Sequence, residues 1–127
     1  MPSLAAKLGF TPDSRSLVVG PAPELVIEEL FGPHRLPTSK PYDVILAFCR
    51  NRSTLDRHAA SLPERLTVAG GLWLAWPKQS SGVTTNVGEA DVRAAGLDAG
   101  LVDNKIAAID ETWSGLRFVR RIADRRG

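Results

Sequence analysis

Two short stretches of the chain concentrate the side chains able to do chemistry. Lys78, Ser80, Ser81 and Thr84 follow the apolar run Leu72–Trp76, and Asp110, Glu111 and Trp113 follow the apolar run Ile106–Ile109. An ammonium, adjacent carboxylates, hydroxyl donors and an indole with a stacking face and an N–H suit a polar, partly aromatic small molecule. Lys78, Asp110 and Glu111 are also the groups that could move protons if the site were catalytic. The opposing account is structural. Asp110 and Thr112 are turn residues that bond their own backbone, and Trp113 is large enough to close the open end of a core.

For these residues to converge, the runs that carry them must be neighbouring strands. Leu116–Val119 is a further apolar run beyond Gly115, and the connection from Asp110 to Leu116 is too short for a crossover, so the last strand runs antiparallel to its predecessor. Between Leu72–Trp76 and Ile106–Asp110, Asn86 and Glu89 form a capping-box pattern that opens a helix, with Val92, Ala95 and Leu97 as apolar positions up to Gly100. A crossover through that helix makes the two strands parallel, and Lys78 and the Asp110/Glu111 pair then emerge at the carboxyl edge where open α/β sheets bind ligands. One intervening strand would set the two about 10 Å apart, within reach of a lysine and a tryptophan. Asp103-Asn104-Lys105 begins its strand towards the opposite edge. Alternation groups Lys105 with Ala107 and Ile109, either snorkelling past a helix or, the favoured reading, paired with an acid such as Asp103.

The first half of the chain reads as strands alternating with helices. Ser3 caps a helix Leu4–Leu8 that stops at Gly9, and Thr11-Pro12-Asp13 turns into a strand Ser16–Val19. Gly20-Pro21-Ala22-Pro23 leads to a helix Glu24–Phe31, with Pro23 at its first position and Leu25, Ile27 or Glu28, and Leu30-Phe31 in helical alternation; Gly32-Pro33 ends it. Arg35-Leu36 is a very short strand, and Tyr42–Phe48 is a buried, central one. Ser53 with Asp56 opens a helix whose stripe is Leu55, Ala59, Leu62 and Leu66, interrupted at Pro63; Ala69-Gly70-Gly71 is a turn before Leu72. This order predicts an α/β fold of three-layer, Rossmann-like type: a mainly parallel sheet with helices on both faces and an antiparallel last strand.

Composition limits the alternatives. The chain has 127 residues, 43% hydrophobic and 24% charged, which suits one soluble domain over residues 1–122 followed by a basic tail at 123–127. No apolar run reaches the roughly 20 residues of a membrane helix and no secretory signal opens the chain, so the cytoplasm is the expected compartment. Cys49, the single cysteine, ends the run Val44–Cys49 and reads as a small buried hydrophobe; His34 and His58 lack metal-ligand spacing. Residues 115–127 hold five arginines and one aspartate, so of the formal +2 the first 114 residues account for −2. Arg117, Arg120, Arg121, Arg125 and Arg126 therefore form a short solvated edge and terminus, and nucleic acid is disfavoured as a partner.

An alternating α/β chain that ends in an antiparallel strand resembles the second half of a class I S-adenosylmethionine methyltransferase. More narrowly, GLWLAWPKQSSGV at residues 71–83 and LVDNKIAAIDETWSGLRFVRR at residues 101–121 resemble the bacterial domain-of-unknown-function family 3052, with a weaker likeness over LAAKLGFTPDSRSLVVG at residues 4–20. The resemblance implies a small Rossmann-like fold and assigns no activity. It also exposes two departures from methyltransferases. Their first strand ends in a glycine-rich turn, because the cofactor needs close backbone approach; here the turn is Gly20-Pro21-Ala22-Pro23-Glu24, with one glycine and two prolines that lack N–H donors. The acidic residue that would grip the ribose hydroxyls is missing from Arg35-Leu36-Pro37-Thr38-Ser39-Lys40. S-adenosylmethionine is therefore disfavoured. The expectation is a non-catalytic methyltransferase-like module binding a small molecule or a protein partner through Lys78, Ser80, Ser81, Thr84, Asp110, Glu111 and Trp113. The alternatives are a divergent methyltransferase or other small transferase, and nucleic-acid binding through the arginine tail.

Overall fold

The computed structural model describes residues 3–125. Its five strands are β1 (Ser16–Val19), β2 (Tyr42–Phe48), β3 (Leu66–Pro77), β4 (Leu101–Ala108) and β5 (Trp113–Arg120), in the sheet order β1-β2-β3-β5-β4. β1, β2 and β3 are parallel, and β5 is antiparallel to both β3 and β4, which makes β3 and β4 parallel to one another. The last strand thus enters between its two neighbours instead of lying at the rim. The helices are α1 (Leu4–Leu8), α2 (Glu24–Glu28), α3 (Arg52–Ser61) and α4 (Glu89–Asp98).

Because successive side chains of a strand point to opposite faces, the apolar stretches Val44–Phe48 of β2 and Leu72–Trp76 of β3 feed two cores. On one face Ile45, Ala47, Leu72, Leu74 and Leu116 pack with Leu55 and Ala59 of α3 and Val92 of α4. On the other, Leu46, Phe48, Trp73 and Ala75 pack with Leu4 and Leu8 of α1 and Val26 of α2. Trp73 is fully buried, and its indole N–H donates to the Leu8 carbonyl at 2.8 Å, which satisfies both an interior donor and an orphan carbonyl at the end of α1. The result is the three-layer, mainly parallel α/β architecture expected from the sequence. Among the described residues no helix is long and apolar enough to cross a membrane.

Several local expectations are corrected. α2 ends at Glu28, with Pro23 as its N-cap, and it buries Val26, with Leu30 just beyond it, while Leu25 stays exposed. The Arg35-Leu36 strand is reduced to a single parallel bridge from His34 to Leu17. Asn51, not Ser53, caps α3 by accepting from the Thr54 N–H at 2.9 Å. Asn86 does not cap α4. Its Oδ1 accepts from the Arg52 N–H at 2.7 Å, so it serves the start of α3, and Asp91 bonds the Gly88 N–H at 2.9 Å in its place. Ala69-Gly70-Gly71 lies inside β3, where the pairing steps from Tyr42↔Leu66 to Val44↔Gly71 and the extra residues form a bulge. Leu97 and Ile106 are exposed, and Asp103 pairs with Arg93 of α4 at 3.0 Å instead of with Lys105. Arg126, the last arginine of the expected tail, and Gly127 lie outside the described residues.

Candidate functional site

Lys78 and the β4–β5 turn do meet at the carboxyl edge. The Lys78 N–H donates to the Thr112 carbonyl and its Nζ donates to the Asp110 carbonyl, both at 2.7 Å. Asp110 is turned inward: its Oδ1 accepts from the N–H groups of Thr112 at 2.8 Å and Trp113 at 2.7 Å. This is the geometry of a carboxylate holding a turn. The Trp113 ring is buried on the α1 face and meets Phe48 edge-on with ring centroids 4.8 Å apart. Glu111 alone of the turn's acidic pair is exposed.

The loop after β3 separates into committed and uncommitted polar groups. The Ser81 hydroxyl donates to the Lys78 carbonyl at 2.6 Å and accepts from the Val83 N–H at 3.2 Å. The Thr85 hydroxyl donates to the Arg50 carbonyl at 2.7 Å and accepts from the Val87 N–H at 3.1 Å. Ser80 and Thr84 stay exposed. Beside Lys78 a cleft of about 600 Å³ opens between Trp76, Gln79, Val87, Glu89 and Ser114, and a shallower hollow of about 430 Å³ continues from it past Thr84 and Asn86 to Arg50 and Asn51. The structure therefore gathers Lys78 and Thr84 along this depression. Asp110 and Trp113 instead belong to the turn and the core, and Ser81 to its own loop. Gln79 and Ser114 were missed by sequence reasoning, because an isolated glutamine and a serine at a strand start carry no periodic or motif signal.

At the other end of the same edge the chain closes on itself after β1. Gly20 has φ 95°, and a Cβ there would lie 2.9 Å from the Phe48 carbonyl oxygen, so β1 and β2 approach too closely for any other residue. The Ala22 N–H is spent on the Gly20 carbonyl at 2.9 Å. Arg35 donates from Nε to the Val18 carbonyl at 3.0 Å and from a terminal nitrogen to the Gly20 carbonyl at 3.1 Å. A guanidinium thus substitutes for the missing neighbouring strand along β1.

The remaining reactive groups lie away from the cleft. Burial pushes the Cys49 thiol up to about 12, with a smaller opposing pull from Arg57, so it is not a nucleophile near neutral pH. Burial, and secondarily Arg57, lowers the His58 pKa. Among the described residues no three His, Cys, Asp or Glu side chains gather as a possible metal site.

This geometry has counterparts among solved structures. The CcbJ methyltransferase of Streptomyces caelestis matches with a TM-score of 0.58 at 9% identity, over 92% of this chain and 86% of that one. Aeropyrum pernix fibrillarin, solved with natively bound S-adenosyl-L-methionine, matches with a TM-score of 0.55 at 15% identity, over 91% and 73%. The magnesium protoporphyrin IX methyltransferase of Synechocystis PCC 6803, with bound SAM, matches with a TM-score of 0.53 at 16% identity, over 77% of this chain and 52% of that one. The fold is methyltransferase-like. At these identities the likeness extends to the fold alone, and the chain spans about half the length of the Synechocystis enzyme. No family model matches the sequence, and no curated protein sequence does.

Proposed function

We propose that this protein is a non-catalytic methyltransferase-like module, allied to the domain-of-unknown-function family 3052, that holds a small polar ligand in the cleft between Trp76, Gln79, Glu89 and Ser114. The observation that carries this reading is the position of Arg35. Methyltransferases of this architecture need open backbone donors after the first strand and a carboxylate beside it for the ribose. Here a guanidinium lies along β1 on the Val18 and Gly20 carbonyls, the prolines at 21 and 23 have no N–H, and the Ala22 N–H is already bonded. These residues do not fit S-adenosylmethionine. The acid–base alternative is weakened because the Lys78 ammonium and the Asp110 carboxylate are both bonded to backbone. A small ligand is favoured over a protein partner because the uncommitted polar groups line a concavity.

Calorimetry with S-adenosylmethionine tests the first half of the proposal. The expected result is no binding tighter than about 10 μM, equivalent to roughly 7 kcal/mol; tighter binding overturns the reading of the β1 turn. For the second half, amide shifts on titration with a panel of nucleosides and amino acids should cluster at Gln79, Asn86 and Ser114. Shifts centred on residues 20–23 would move the site to the methyltransferase position and sink the proposal.

A further inference from the structure

At the amino edge of the sheet, the end of the molecule away from the cleft beside Ser114, a second concavity of about 490 Å³ opens on the α3–α4 layer. Ala59, Ala95 and Pro63 form its apolar wall, and Asp56, Glu64 and Asp98 bring carboxylates to it. Both helices end beside it. Asp98 is the last residue of α4, and Glu64 stands in the turn Pro63–Arg65 that follows α3. Acids at these positions are unfavourable in themselves, because the last carbonyls of a helix already carry partial negative charge. The last turn of α4 has no basic side chain, and that of α3 has only His58, whose pKa burial and then Arg57 push down, so it brings little charge near neutral pH. Arg120 of β5 is the one guanidinium of the lining, and a terminal nitrogen of it is spent on the Pro63 and Leu66 carbonyls at 3.2 and 2.9 Å. Asp56 is shared with Arg52 in an exposed pair at 3.4 Å, whereas Glu64 and Asp98 have no ion pair among the described residues. The concavity is thus left with an excess of negative charge around an apolar wall. Its carboxylates do not converge on a point, since among the described residues no three His, Cys, Asp or Glu side chains gather closely enough to hold a metal ion. The chain stays helical from Asp56 through α3 and the turn to Glu64, which sets the two roughly 12 Å apart along the axis at about 1.5 Å per residue.

We infer that this concavity holds an aliphatic polyamine, its methylene stem against Ala59, Ala95 and Pro63 and its ammonium groups at the carboxylates of Glu64 and Asp98. A linear polyamine joins cationic centres through apolar stems, which matches spaced carboxylates around an apolar wall; a compact metal ion needs its oxygen ligands gathered at one point. The ammonium groups also come to the negative ends of two helices, where cations are stabilised. A volume in this range suits a small ligand. The site lies at the opposite edge of the sheet from the cleft beside Ser114, and it does not depend on the function proposed for that cleft.

The test is thermal melting of the full chain in spermidine, at ionic strength held constant with sodium chloride, with backbone amide shifts as a second readout. Wild type should melt higher as spermidine is added, and the shifts should cluster at Ala60, Glu64, Ala95 and Asp98. Glu64→Gln and Asp98→Asn change exposed side chains, so both should keep the fold, and each should weaken spermidine binding roughly fivefold. Without ligand, Asp98→Asn should melt slightly above wild type, because an anion has left the end of α4. Ala60 is exposed and lines the same concavity, so Ala60→Trp keeps every charge while filling the space, and it should abolish the shifts. No rise in wild type, an equal rise in wild type and both charge variants, or undiminished binding by Ala60→Trp overturns the proposal. It also falls if magnesium chloride produces the same shifts in place of spermidine, which marks a point cation, or if a lysine-rich peptide binds more tightly than spermidine, which marks a protein contact.

Discussion

The β4–β5 turn and the loop after β3 lie side by side at one edge of the sheet, both rich in polar residues, and they use them in opposite ways. In the turn, Asp110 accepts two backbone N–H groups, its carbonyl takes the Lys78 ammonium, and Trp113 drops into the core. In the loop, Ser81 and Thr85 are bonded to backbone, but Gln79 borders a cleft, opposite Ser114 of β5, and makes no side-chain hydrogen bond among the described residues. A dense polar cluster in sequence is therefore not a reservoir of binding groups. Burying a turn's backbone donors without partners costs more than exposing a carboxylate, so the nearest acceptor is consumed first.

The largest expected effect would break the turn's side of this contrast. Trp113→Ala removes a buried ring that meets Phe48, and it should lower unfolding stability by about 4 kcal/mol in urea titrations. A loss under about 1 kcal/mol would mean that Trp113 does not close the core and is free for a ligand. Next comes Asp110→Ala, which orphans two half-buried N–H groups and should cost about 2 kcal/mol, whereas Asp110→Asn keeps the accepting oxygen and should recover most of that loss. If asparagine proves as harmful as alanine, the charge matters and the turn belongs to a binding site after all. Lys78→Met, which loses one bond to a carbonyl, should cost about 1 kcal/mol. Smallest is Glu111→Ala, exposed and without an ion pair among the described residues, expected to change stability by under about 0.5 kcal/mol. A larger loss would show that the turn uses its second carboxylate as well.

The sequence by itself determined the apolar centres of the five strands, the order of the elements and the antiparallel sense of β5, because these follow from local quantities: apolar runs bounded by turn residues, and connections too short or long enough to cross over. The insertion of β5 between its neighbours follows only from the likeness to methyltransferases. Ser3 and Gly9 marked α1 correctly since both act within a turn of their own helix. Only the tertiary structure decided which partner each polar side chain takes. Asn86 sits three residues before Glu89 and reads as its cap, yet it bonds the N–H of Arg52, 34 positions away. Lys105 reads as the partner of Asp103, yet a bulge between them sends the two to opposite faces, one to Arg93 and the other to the Lys7 carbonyl. Arg35 reads as a residue of a short strand, yet its side chain replaces that strand along β1. A hydrogen bond needs its two atoms at a set distance and angle, and for residues remote in sequence that geometry exists only once the sheet has brought them together.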